Sequence, residues 1–212
     1  MRWRRWADRP TRADKAVETA ELALFPLNTV LFPGGELTLR IFEARYLDLV
    51  RECSRSGAGF GVCLILAGEE VGKPALPAAV GCEAHIVDFS TSPEGLLALF
   101  VQGARRFRIE RSQVRANGLV VAEVAWFDPP AMQSVRAEHQ LLALLLRQIL
   151  ERAGPPHDQV DELRFDDADW LCWRLAEWLP LSWAERQSLL QECDPHARLQ
   201  RLVELIPEQQ SN

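Results

Sequence analysis

Residues 23–46, ALFPLNTVLFPGGELTLRIFEARY, constrain the fold more than any other stretch of the chain. Two short apolar runs in it, 24–25 and 30–32, have the composition of buried strands. The second run ends at Pro33-Gly34-Gly35. Proline fixes its own φ and glycine can adopt positive φ, so this tripeptide predicts a reversal of the chain.

The hydrophobic period changes once after this reversal. Polar and apolar residues alternate from Glu36 to Ile41, which is the pattern of a half-buried strand. From Phe42 onward the apolar residues recur at helical spacing with charged residues between them, which predicts a helix over about 43–55. The segment therefore predicts a turn, a strand and a helix in succession.

Five further runs after the predicted helix favour a β-rich fold. Each is short and bounded by glycine, proline or polar residues, which is typical of strands joined by turns. We expect the chain to turn at Gly103-Ala104, between two of these strands. Many short strands with one early helix indicate a small antiparallel barrel or folded sheet. The predicted strands cover about 60–67, 80–89, 96–102, 105–110 and 119–126.

Strand signals end at Pro129-Pro130, and the rest of the sequence predicts amphipathic helices. Ser182 and Glu185 have the spacing of a capping box at a helix start. Asp194-Pro195 places a capping residue before a proline at the first helical position. Short loops between such helices favour a small bundle. The four predicted helices cover about 134–152, 169–179, 182–192 and 194–206.

The sequence thus divides into three predicted parts. Residues 1–20, rich in arginine and tryptophan, are predicted to form a flexible tail outside the fold; such side chains also suit phosphate or lipid head groups. Residues 21–130 form the β-rich part and residues 131–212 the helical bundle. The first bundle helix carries more leucine than one partner would cover, so we expect the bundle to pack on the β-rich part.

Composition sets limits on the class of protein. The 212 residues are 48% hydrophobic and 25% charged, which is ordinary for a soluble globular chain. The net charge of −6 argues against a broad nucleic-acid surface. Five widely spaced cysteines favour neither a disulfide framework nor a zinc site, and fit a reducing cytoplasm. No apolar run approaches the roughly 20 residues of a membrane span.

Six short motifs occur in order along residues 24–126. They are Phe25-Pro26-Leu27, Val30-Leu31-Phe32-Pro33-Gly34, Ile41-Phe42-Glu43-Ala44-Arg45-Tyr46, Phe60-Gly61-Val62, Val80-Gly81 and Gly103-Ala104-Arg105-Arg106-Phe107. In this combination they resemble the N-terminal, substrate-binding domain of the Lon protease family. The resemblance implies an α+β fold: an antiparallel, PUA-like pseudobarrel with one early helix, then a C-terminal helical bundle.

The resemblance also implies a function. It indicates a non-catalytic, bacterial and cytoplasmic module that binds unfolded or partly folded protein segments, with a protease or chaperone in trans as a further expected partner. It implies no cofactor, metal or membrane. An apolar groove between the two parts, or strand addition at an open sheet edge, would form the site. The candidate lining residues are Leu31, Phe32, Leu37 and Leu39.

The residues of the family motifs are predicted to be structural. We expect Glu43 and Arg45 to hold the start of the early helix against the sheet, because unpaired buried charges are costly. The nine residues in this class are Pro33, Gly34, Phe42, Glu43, Arg45, Tyr46, Gly103, Arg106 and Phe107.

No motor or peptidase motif accompanies the resemblance. The string closest to a phosphate-binding loop, 68–74, is one residue short and ends in Pro74 where a hydroxyl residue is needed. The chain has only two lysines, Lys15 and Lys73, and no serine in a recognisable nucleophile context. We therefore expect a recognition domain rather than an enzyme.

Two other functions stay open from the sequence. One is a small-ligand binder or enzyme on the same fold, which would use Glu43, Arg45, His85 and Arg106. The other is an RNA-binding pseudobarrel, because a basic cluster follows Gly103; the acidic balance and the lack of interleaved aromatic residues count against it. The cluster comprises Arg105, Arg106, Arg108, Arg111 and Arg115.

Overall fold

The computed structural model describes residues 18–91 and 95–209. The Arg/Trp-rich segment at 1–17, and the prediction of a flexible tail there, lie outside these residues. The first strand begins at Thr19, within the stretch predicted as tail, and it pairs along its length with the last strand of the sheet.

The strands form a barrel that is antiparallel except for one pair. Strand order is β1-β7-β6-β5-β3-β4, with β2 on β6. Strand β1 also pairs with β3 in parallel, which closes β1, β7, β6, β5 and β3 into a ring. The predicted α+β pseudobarrel is confirmed. The strands are β1 (Thr19–Leu27), β2 (Glu36–Ile41), β3 (Phe60–Ala67), β4 (Leu76–Pro77), β5 (Val80–Thr91), β6 (Leu97–Val114) and β7 (Val120–Trp126).

One early helix and a set of late helices complete the fold, as the sequence predicts. The capping box is present: Ser182 Oγ accepts from the N–H of Glu185 at 3.3 Å, and the Glu185 carboxylate accepts from the N–H of Ser182 at 2.6 Å. Short 3₁₀ segments precede α2 and α3 at Ala137–His139 and Glu162–Asp166. The helices are α1 (Ala44–Ser56), α2 (Gln140–Ala153), α3 (Ala168–Trp178), α4 (Trp183–Gln191) and α5 (Pro195–Gln209).

The predicted turn at Gly103-Ala104 is wrong, because β6 continues through both residues from Leu97 to Val114. Glycine is needed at position 103 because the backbone of residues 32–35 packs directly against it. Its N–H donates to the Gly35 carbonyl and its carbonyl accepts from the Gly34 N–H, both at 2.8 Å. A Cβ at Gly103 would overlap the carbonyl oxygen of Phe32. The Pro33-Gly34-Gly35 turn therefore lies directly against the middle of β6.

The predicted strand at 30–32 is also wrong. This segment is irregular, and its apolar side chains are buried in two different places. Leu31 packs in the barrel core with Leu39, whereas Phe32 packs beneath the helices and stacks on Trp173 with ring centroids 5.5 Å apart. The apolar run at 30–32 is therefore not a strand: the chain passes between two hydrophobic cores there and contributes side chains to both.

The helices and the barrel share one hydrophobic core. It contains Phe32, Leu64 and Val80 from the β-rich part together with leucines and Trp173 from the helices. A buried hydrogen bond crosses the same boundary, from Gln187 Nε2 on α4 to the Val80 carbonyl at 2.9 Å. The expected packing of the helices on the β-rich part is observed.

We predict that Gly103→Ala lowers the free energy of unfolding by about 2–3 kcal/mol, because overpacking at a rigid backbone contact costs that much. The measurement is urea unfolding followed by circular dichroism. Gln102→Ala, the exposed neighbour on the same strand, is the control and should change stability by less than about 0.5 kcal/mol. Equal losses of unfolding free energy in the two variants would contradict a tight backbone contact at Gly103.

Candidate functional site

A groove separates the start of β2 from the helices. Its volume is about 680 Å³. Segment 29–37 forms one wall, and α2, α3, the start of α4 and the loop after α2 supply the other. The side facing the barrel is lined by Thr29, Val30, Leu31, Gly34, Glu36 and Leu37. The helical side is lined by Leu150, Pro156, His157, Val160, Trp170, Arg174, Glu177, Trp178 and Arg186.

Apolar and aromatic side chains from both walls meet in this groove. Leu31 is buried and Leu37 is half-buried on the barrel side. Across from them, α3 contributes Trp170 and Trp178, and Trp178 is 38% exposed. The His157 ring contacts the Trp178 ring edge-on, with centroids 5.1 Å apart. An accessible tryptophan on an apolar wall is the side chain that most often dominates a binding surface.

The turn at the rim of the groove is fixed by an arginine from α3. Arg174 Nη1 donates to the Gly34 carbonyl at 2.9 Å, and Nη2 donates to the Pro33 carbonyl at 2.8 Å. The same guanidinium pairs with Glu177 Oε1 at 3.0 Å. Gly34 has a φ of 71°, which favours glycine, so the turn geometry and its recognition by Arg174 belong together.

Glu177 places a carboxyl group inside the groove. Its side chain occupies the space that a Cβ at Gly35 would need. Burial raises the pKa of Glu177 to about 7, because the charged form loses water, and the nearby Glu36 adds to the rise. Arg174 and Arg186 oppose it. A group with this pKa changes its charge near neutral pH.

The four predicted lining residues lie in different environments. Leu31 and Leu37 line the groove. Phe32 is fully buried under the helices and Leu39 is 6% exposed in the barrel core. Only Leu31 and Leu37 of the four therefore contribute to the groove surface.

Glu43 and Arg45 form a local cluster at the start of α1. Arg45 Nη2 lies 3.1 Å from the Glu43 carboxylate, and Nη1 donates to the Gly118 carbonyl at 3.3 Å. The guanidinium also lies 4.6 Å from the centroid of the Tyr46 ring, which stacks on Phe25. These contacts connect the helix start to the turn between β6 and β7.

Arg106 lies between the barrel and the helices. Its Nη1 donates to the carbonyls of Leu190, in the last turn of α4, and Glu192, just after it, each at 2.8 Å. The guanidinium lies over the Trp173 ring at 5.3 Å. Burial, with the nearby Arg198, lowers the pKa of Arg106 from its ordinary value. The residue binds the end of α4 to the sheet.

The remaining motif residues differ in exposure. Phe107 is fully buried and meets Trp126 edge-on, with centroids 6.0 Å apart. Pro33 and Gly34 form the fixed turn, and Gly103 holds that turn from β6. Phe42 is 53% exposed just before α1, so its side chain contributes little to either core.

The residues named for a small-ligand site do not converge. Glu43 and Arg45 pair with each other, His85 lies 3.3 Å from the Glu83 carboxylate on β5, and Arg106 is covered by the helices. Within residues 18–91 and 95–209, no group of three or more His, Cys, Asp or Glu side chains has the geometry to hold a metal ion.

Carboxylates neutralise the exposed part of the basic cluster. Four of the five arginines, three exposed and one half-buried, have an acidic partner within 3.1 Å, and the fifth, Arg106, is buried. The pairs are Arg105 with Glu18, Arg108 with Glu110, Arg111 with Glu123, and Arg115 with Glu52. Such pairing leaves little positive surface for a phosphate backbone.

Most residues of the helical wall of the groove were not predicted from the sequence. Helix α3 supplies Trp170, Arg174, Glu177 and Trp178, yet its residues are apolar on several sides, so periodicity does not distinguish the groove face. The Arg174–Glu177 spacing of three is a detectable signal for a helical ion pair. The carbonyl partners of Arg174 are 140 and 141 positions away and leave no local trace.

Comparison with known proteins identifies the family. The family described as the ATP-dependent protease La (LON) substrate-binding domain matches residues 21–208. The chain belongs to this family. The domain that defines this family is a substrate-binding unit and not a catalytic one, and the expected bacterial origin agrees with the bacterial relatives below. No helix in the described ranges is long and apolar enough to cross a membrane.

Solved structures share the fold. A Lon N-terminal domain protein from Xanthomonas campestris is 51% identical, with a TM-score of 0.74, covering 87% of this chain and 98% of that one. The N-terminal domain of a Mycobacterium avium complex Lon protease is 20% identical, with a TM-score of 0.65, covering 87% and 97%. The second likeness concerns the fold alone.

Longer relatives match over a small part of their length. Lon protease 2 of Herpetosiphon aurantiacus is 29% identical over 202 residues, which is 92% of this chain and 24% of that protein. Lon protease 2 of Myxococcus xanthus is 27% identical over 191 residues, covering 87% and 23%. The chain thus spans about a quarter of the curated relatives it matches.

We predict that Glu177 makes stability depend on pH between about 4.5 and 7. Its folded pKa lies above the ordinary 4.5, so the folded state holds the proton longer as pH rises. The free energy of unfolding then falls with rising pH, by at most about 1.4 kcal/mol per unit, and levels off above about 7.

The check is urea unfolding of the wild type and Glu177→Gln at pH 5, 6, 7 and 8. Other titrating groups are common to both proteins, so the difference between the two stability curves isolates Glu177. A difference that does not change with pH would contradict the raised pKa.

Proposed function

We propose that the chain binds unfolded protein segments in the groove between β2 and α3. The observation that carries the proposal is the groove itself, where Leu31, Leu37, Trp170 and Trp178 face a common space of about 680 Å³. A volume of this order can enclose several side chains of a peptide. Family membership supports the same function, because the matched domain is named for substrate binding.

The polar residues of the groove suit a polypeptide better than a purely apolar ligand. Arg174, Glu177 and Arg186 lie beside the tryptophans, and Arg174 is already engaged by the turn carbonyls. A peptide carries backbone donors and acceptors beside its side chains, so it can satisfy polar groups while burying apolar surface. The mixed lining therefore favours a chain segment over a lipid.

We propose that the module carries out no reaction itself and passes its segment to a protease or chaperone on another chain. The matched relatives are Lon proteases about four times as long. We further propose a cytoplasmic location, which is supported by five free thiols, four of them buried.

We predict that Trp178→Ala weakens binding of a reduced, carboxymethylated protein by at least about tenfold, since truncating a central tryptophan commonly costs 2 kcal/mol or more. Leu37→Ala should weaken binding by a smaller factor. The measurement is fluorescence anisotropy with the labelled unfolded protein, at two salt concentrations.

Trp183→Ala is the matched control, because Trp183 is 48% exposed on α4 and does not line the groove. This variant should bind like the wild type. Equal losses for Trp178→Ala and Trp183→Ala, with both proteins folded by circular dichroism, would reject the groove as the site.

A further inference from the structure

Strand β2 leaves one edge of the sheet open. It pairs with β6 from Glu36 opposite Gln102 to Ile41 opposite Leu97. In the part of the chain that the structure describes, no strand pairs along its other edge. Glu36, Thr38 and Arg40 are exposed, whereas Leu39 and Ile41 between and beyond them are buried.

The register shows which backbone groups face outward. In an antiparallel pair, alternate residues direct both backbone groups at the partner strand. The Gly103 N–H donates to the Gly35 carbonyl, one pair before the ladder begins. Residues 37, 39 and 41 therefore face β6, and Glu36, Thr38 and Arg40 direct their N–H and carbonyl groups outward. No hydrogen bond to these outward groups is formed within residues 18–91 and 95–209.

Two hollows adjoin the first residues of β2. One is the groove described above. The second has a volume of about 170 Å³ and is lined by Glu36, Leu37, Thr38, Val87, Phe100 and Val101. Both hollows share Glu36 and Leu37. Val87 and Phe100 are 66% and 41% exposed, so the second hollow also offers uncovered apolar surface.

We propose that the bound segment adds to the open edge of β2 as an extra strand. This rests on the proposed function and specifies its mode: main-chain hydrogen bonds go to residues 36, 38 and 40. Side chains alternate between the two faces of a strand, so successive side chains of the segment enter the groove and the second hollow.

The ligand class that follows is an extended polypeptide with free backbone amides. A folded helix or a strand paired on both edges cannot bind this way, because its own backbone groups are already hydrogen-bonded. Main-chain recognition depends little on side-chain identity, so one site can accept many unfolded sequences. The two hollows add a preference for segments that carry apolar side chains at the positions entering them.

The first test changes the peptide. Three peptides of one apolar sequence are compared: the unmodified parent and two N-methylated forms. The first form is methylated at alternate residues, so that one edge of the extended peptide loses its N–H donors. A second methylated peptide carries the modification at the intervening residues. Binding of one methylated peptide should fall at least about tenfold, while the other binds close to the parent. Equal affinity for all three peptides would overturn strand addition.

The second test changes β2. Thr38→Pro removes an outward N–H that β6 does not use, and proline is tolerated at such positions of edge strands. Thr38→Val keeps the N–H and is the control. We expect Thr38→Pro to weaken peptide binding at least about fivefold relative to Thr38→Val, because the two variants share the loss of the threonine hydroxyl and differ in the N–H. If Thr38→Pro does not fold, the methylated peptides still decide the question.

The outcomes separate this inference from the proposed function. A wild-type protein that binds no unfolded chain contradicts the proposed function. Binding that ignores both N-methylation and Thr38→Pro keeps the groove but overturns strand addition. If sedimentation shows a dimer of the wild type that Thr38→Pro dissociates, a second copy occupies the edge and the inference is likewise overturned.

Discussion

The fixed turn at Pro33-Gly34-Gly35 is the constraint on which the rest of the structure depends. Gly103 holds it from the sheet through two backbone hydrogen bonds, and Arg174 holds it from α3 through the carbonyls of Pro33 and Gly34. The turn therefore fixes the start of β2 relative to the helices. Both walls of the groove take their positions from it, and the shared core beneath Phe32 completes the connection.

The sequence predicted features that local chemistry determines. The chain reversal at Pro33, helix α1 and the capping box at Ser182 all depend on neighbours within a few residues. The predictions that were wrong, the turn at Gly103-Ala104 and the strand at 30–32, concern residues whose structure depends on long-range contacts. Gly103 was predicted to form a turn because glycine is common in turns. Its role in the structure is to leave room for the carbonyl oxygen of Phe32, 71 positions earlier in the chain. Leu31 and Leu37 line the groove whereas Phe32 and Leu39 lie in cores, because apolar character alone does not separate a groove wall from a core.

Recognition and stability are closely coupled in this site. Arg174 and Glu177 line the groove and also hold the turn, so they combine binding surface with structure. A carboxyl with a pKa near 7 in such a place makes the groove sensitive to pH as well. The open edge of β2 begins where this turn ends, which brings side-chain and main-chain recognition to one place.

The most direct measurement is amide hydrogen exchange of the protein with and without a bound unfolded polypeptide, resolved to single residues. The account predicts slower exchange at the outward N–H groups of Thr38 and Arg40 and around Trp178 on α3. Slower exchange confined to the β3–β4 hairpin or to α5, with β2 and α3 unchanged, would contradict the assignment of the groove as the binding site.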